Sequence, residues 1–165
     1  MVLSKSELIS ALQNEVRILL HLAGKVDPAT VDYRPTPKQR STIELLRYLT
    51  VMGPGLVTAA KAGAFDNDAW MAAEGRAATM SLEQVKAELG THPALYAAEL
   101  ASVSDDDFRA TVEMFGPPMS RGAWLVFWGL GSCAAYRTQL FLYLKACGRD
   151  ELNTMNLWAG MDGAM

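Results

Sequence analysis

The side chains able to do chemistry concentrate on two stretches. In residues 120–147, SRGAWLVFWGLGSCAAYRTQLFLYLKAC, Ser132, Tyr136, Gln139 and Tyr143 recur at steps of four, three and four. Such steps return to one face of a helix. Earlier in the chain, Glu44, Tyr48 and Met52 repeat every four residues and define a second face. A phenol ionises near pH 10, so Tyr48 and Tyr136 offer hydrogen bonds and stacking rather than acid–base work at neutral pH. Arg137 is a candidate partner for Glu44 or for an anion, beside the ordinary role of a structural arginine. Cys133 sits in a long apolar run, where a thiol is buried and inert rather than nucleophilic. His21 and His92 stand far apart, and nothing in the spacing brings them together. Asp66-Asn67-Asp68 starts like a calcium loop but lacks its glycine and closing glutamate, so it reads as loop acidity. No Gly-rich phosphate loop, serine nucleophile elbow or paired metal motif is present.

Four helices must position these residues. The 165 residues are 50% hydrophobic and 20% charged, which suits a single globular domain over residues 1–165 with a core of its own. A net charge of −3 and the lack of a Lys/Arg cluster argue against a nucleic-acid partner. The uncharged run 122–136 falls short of the roughly 20 residues a membrane span needs. It therefore reads as a buried helix, with no membrane partner. No secretory signal is apparent. Cys133 and Cys147 would lie roughly 21 Å apart on one helix, too far to bridge, so both are free thiols. These features together fit the cytoplasm.

Capping boxes at Ser4/Glu7, Ser41/Glu44 and Ser81/Gln84 predict three helix starts. The first helix should run over residues 5–22 and stop at Gly24. Residues 25–40, with Pro35 and Pro37, read as extended connector. The second helix should begin near Thr42, be kinked or interrupted by Gly53-Pro54-Gly55, and close at Gly63. Residues 64–80 are the longest stretch that the pattern leaves ambiguous. A third helix from Ser81 to about Val103 must bend or divide at Pro93. The acidic run Ser104-Asp105-Asp106-Asp107 suits a helix N-terminus, and residues 108–114 a loop or brief strand. The fourth helix should span residues 121–146 with Gly148 as its stop. Leu152, Leu157 and Trp158 should fold the tail back onto the bundle. The fold class is all-α.

Two fragments carry a family resemblance. Tyr33-Arg34-Pro35 followed by Arg40-Ser41-Thr42-Ile43-Glu44-Leu45-Leu46-Arg47-Tyr48-Leu49 is similar to the start of the second helix in DinB-like proteins. Ala135-Tyr136-Arg137-Thr138-Gln139-Leu140 with Tyr143-Leu144-Lys145-Ala146-Cys147-Gly148 is similar to their last core helix. The resemblance implies a DinB/YfiT-like four-helix bundle, up-down-down-up with long connections, and a homodimer. Metal-binding members hold a divalent ion with three histidines, and by motif position these fall on Tyr48, Ser132 and Tyr136. None is a histidine. Phenol and hydroxyl are poor neutral donors for zinc, nickel or iron, so no metal and no cofactor are expected there.

What the resemblance leaves is a cavity where the two faces meet, with Tyr48, Ser132, Tyr136, Glu44, Gln139 and Arg137 as its candidate lining. Its use would be to bind a small molecule or to serve an interaction. The competing reading has the tyrosines bond to each other or to Glu44 and close the core. The alternative function is a metal- and thiol-dependent transferase or isomerase with a non-standard site.

Overall fold

The structure, a computed structural model, describes residues 3–163. Four long elements form the bundle: α1 (Lys5–Ala23), α2 (Thr42–Ala62), α4 (Leu82–Ala101) and a rod built from α6 (Arg121–Trp124), a π-helical turn (Leu125–Leu130) and α7 (Gly131–Ala146). All three capping boxes form, each serine taking the N–H three residues on while the Glu or Gln returns to the serine N–H. This satisfies amide groups that a helix start otherwise leaves bare.

α4 packs against both α1 and α2, and the α6–α7 rod closes the opposite side against the same two helices. Directions follow from contacts at the ends. Lys5 donates to the Val103 carbonyl at 2.8 Å, so α1 and α4 run antiparallel. Arg47 donates to Met80 O and Lys61 pairs with Glu99, so α2 and α4 run together. Arg121 donates to Lys61 O and Tyr143 to Arg40 O, so the rod opposes α2. The topology is up-down-down-up. Leu12, Leu45, Leu46, Leu89, Leu125 and Leu140 are buried between the helices, each worth about 1.5–3 kcal/mol of transfer free energy.

Of the two readings for Gly53-Pro54-Gly55, kinked or interrupted, the interruption does not occur: α2 stays helical throughout and closes at Gly63 as expected. The two glycines are contact points: a Cβ on Gly53 would stand 2.0 Å from Tyr96 Oη, and one on Gly55 2.7 Å from the Trp70 ring. The close packing they allow offsets the backbone hydrogen bond that Pro54 cannot donate. α4 likewise continues through Pro93 as a single helix.

The ambiguous stretch 64–80 contains α3 (Asn67–Ala77), and Asp66, read as loop acidity, starts it with Oδ1 on the Ala69 N–H. The acidic run starts α5 (Asp105–Arg109), capped by Ser104. Then β1 (Thr111–Val112) pairs antiparallel with β2 (Met119–Ser120). The connector carries a short 3-10 turn at Pro28–Thr30 where extended chain was expected. The tail does return: Leu152 is buried, and Arg17 of α1 donates to Ala159 O at 2.8 Å.

Gly53→Ala should lower stability by about 1–3 kcal/mol through overpacking. Pairing it with Tyr96→Phe, which removes the clashing hydroxyl, should recover part of that loss. Urea unfolding of the two variants and the double variant checks the coupling, and additive losses would refute the contact.

Candidate functional site

The two faces anticipated from helical spacing do meet. Tyr48 of α2 and Tyr136 of α7 lie edge to face with ring centroids 5.2 Å apart, and Trp70 of α3 packs on Tyr48 from another side at 6.0 Å. The Arg40 guanidinium sits over the Tyr48 ring, 4.0 Å from its centroid. Burial, with the Tyr136 phenol adding to it, pushes the Tyr48 hydroxyl well above the ordinary phenol range.

The remaining candidates spread out. Gln139 donates to Tyr143 Oη, which in turn donates to the Arg40 carbonyl at 3.0 Å. Glu44 does not meet either tyrosine hydroxyl; it takes the Ser41 N–H at 2.7 Å and the Arg34 guanidinium at 3.2 Å. The Ser41 bond is the leading reason its carboxyl titrates low. Ser132 is half-buried one turn before Tyr136.

Arg137 does not pair with Glu44. It is 2% exposed and faces α1, with Nε 3.4 Å from Glu15 Oε2 and its guanidinium 5.2 Å from the Trp158 ring centre. A one-residue step along a helix turns the side chain by about 100°, so Arg137 cannot share the direction of Tyr136.

A cleft between α2 and α3 holds two adjoining cavities, of about 400 and 230 Å³. Val51 and Ala77 belong to both walls. The larger is mainly apolar, with Pro54, Phe65, Trp70 and Leu95 on its walls and Asp66, Arg76 and Glu88 at its polar points. The smaller is charged: Arg40, Glu44, Arg47 and Glu74 surround Tyr48. Of the anticipated residues only Tyr48 and Glu44 line this cleft. Trp70, Phe65, Arg40 and Arg47 were missed. The signal for the first two was the Asp66 cap followed by an alanine-rich run, a helix start without a strong apolar stripe.

The centre of the bundle is polar but tight. Glu15, His92, Tyr96 and Cys133 line a void of about 10 Å³, room for about one water. Tyr96 Oη and His92 Nδ1 are 3.2 Å apart, and His92 Nε2 is buried with no partner among the described residues. Burial lowers the His92 pKa from 6.5 to about 4, the Thr50 backbone acting weakly the other way. Burial also pushes the Cys133 thiol up to about 12, which fits the inert reading. His21 is half-buried at the end of α1, with Nε2 3.1 Å from the Asn156 amide nitrogen.

An up-down-down-up bundle with this long last rod defines a DinB-like fold. The sequence pattern of the DinB superfamily matches residues 11–130, and the chain belongs to that superfamily. It is similar to a DinB-like protein (YjoA) from Bacillus subtilis, with a TM-score of 0.68 and 18% identity over 88% of this chain and 94% of that one. A search of curated proteins returned no match.

Tyr48, Ser132 and Tyr136 stand where the resemblance would put metal ligands, and none is a histidine. Tyr48 could ligate only as a phenolate, and burial beside Tyr136 disfavours that form. Among the described residues no group of three or more His, Cys, Asp or Glu is placed to hold an ion.

His92 gives the fold an acid limit. Its folded pKa of about 4 lies below the ordinary 6.5, so the unfolded chain takes up the proton first. Stability from this group is full above pH 6.5 and is lost as the pH falls towards 4, by about 3 kcal/mol. His92→Gln should flatten that part of the curve in urea titrations from pH 7 to 4. An unchanged slope would show that His92 is not the titrating group.

Proposed function

We propose that this DinB-superfamily protein binds a small organic molecule in the α2–α3 cleft, without the metal chemistry of the metal-binding members. One observation carries the reading: an apolar cavity of about 400 Å³ opens beside a charged one of about 230 Å³, with Val51 and Ala77 in both walls. An apolar enclosure with a few convergent polar groups is the usual form of a small-ligand site. Trp70 gives it a rigid aromatic wall, seated on Gly55 and tilted against Phe65 at 5.2 Å. The ring contact of Tyr48 with Tyr136 joins the cleft to the last helix.

The test is a fragment screen by thermal shift on the wild type and on Trp70→Ala. Fragments that raise the melting temperature of the wild type should lose most of that effect in the variant. Fragments that stabilise both equally would place binding elsewhere. For the metal, untagged protein incubated with zinc, nickel and manganese should retain none of them in stoichiometric amount by elemental mass spectrometry. One equivalent retained after desalting would overturn the metal-free half of the proposal.

A further inference from the structure

The charges around the cleft are unevenly satisfied, and the imbalance points to the chemistry of the ligand. On the wall of the smaller cavity, Glu44 has both oxygens engaged, one by the Ser41 N–H and one by Arg34. Arg47 spends Nε on the Met80 carbonyl at 2.8 Å, which holds its guanidinium on the wall, and its other two nitrogens have no hydrogen-bond partner among the described residues. Arg40 sits over the Tyr48 ring and has no carboxylate partner among the described residues. Against these two guanidinium groups stands one uncommitted carboxylate, Glu74. The smaller cavity therefore carries about one unit of uncompensated positive charge beside an apolar chamber. At the outer points of the larger cavity the balance is reversed, since Asp66 and Glu88 outnumber Arg76.

We infer that the cleft takes an amphipathic monocarboxylate, its head group held by Arg40 and Arg47 and its apolar body lying along Trp70 towards Phe65. Guanidinium groups meet a carboxylate in a planar, two-point fashion, which suits a flat head group. Glu74 sets the charge: a dianionic head such as a phosphate monoester would meet a repulsive carboxylate that a single negative charge largely avoids. The apolar wall then supplies affinity and the arginines supply orientation. This inference rests on the cleft reading above and goes beyond it in naming the ligand class.

Calorimetry with three naphthalene probes of one shape tests it: 2-naphthoate, naphthalene-2-methanol and 2-naphthylmethylammonium. Wild type should bind the carboxylate about tenfold or more tighter than the alcohol, a gap of about 1.4 kcal/mol, with the ammonium weakest. Arg40→Met should remove that preference, weakening the carboxylate about tenfold and the alcohol less. Arg40 is exposed on the connector, so this variant keeps the fold intact. Arg47→Met should act in the same direction.

If carboxylate and alcohol bind alike and Trp70→Ala weakens both, the cleft reading stands and the carboxylate assignment falls. A carboxylate preference that survives Arg40→Met also overturns the assignment. If none of the three binds more tightly than about 1 mM, the assignment and the cleft reading fall together.

Discussion

The structure turns on how closely α4 can approach α2. Tyr96 places its hydroxyl where residue 53 would carry a side chain, and only glycine leaves that space. Two residues on, Gly55 accepts the Trp70 ring in the same way and seats α3 on the outside of α2. One Gly-Pro-Gly triplet thus sets the distance of a core helix on one side and builds the wall of a cleft on the other. A methyl group at either position would have to push back a large aromatic ring held by other contacts, and close-packed interiors resist such shifts.

The bundle centre illustrates how a polar interior can be structural. Glu15, His92, Tyr96 and Cys133 come from three of the four long elements, yet the space among them is no larger than about one water. The Glu15–Arg137 pair lies across α1 and α7, with Trp158 of the returning tail against the guanidinium. Burial raises the Glu15 pKa while Arg137 opposes it, the expected contest between desolvation and a nearby cation. Removing one partner of such a pair leaves an uncompensated buried charge, which is costly. Between α2 and α3, at the edge of the bundle, there is room for a ligand.

The last rod adds a second constraint. Its π-helical turn at Leu125–Leu130 buries Leu125 and Gly129 and leaves Val126 and Phe127 exposed. A Cβ on Gly129 would come within 2.9 Å of Leu125, so the wide turn is packed tightly on its inner side. From Gly131 onwards the helix is regular, and Tyr136 and Tyr143 reach α2 and the connector as helical spacing requires.

Local chemistry in the sequence determined the four long helices, their serine caps and the two faces that carry Tyr48 and Tyr136. Capping and periodicity act over a few residues, so they can be read without knowing the fold. The resemblance of two fragments then supplied the order of the bundle. α3 was not legible because its alanine-rich sequence has little apolar periodicity and is anchored by Trp70, which rests on a glycine distant in the chain, and by the buried Ala77. The partner of Arg137 was hidden for a related reason: Glu15 lies on another helix, and the choice between it and Glu44 depends on which way the last rod is turned. The cleft was hidden as well, since a cavity is the space left between elements. Where charges stay uncommitted and where space stays open are decided by packing over long sequence separations, and only the tertiary structure decides them.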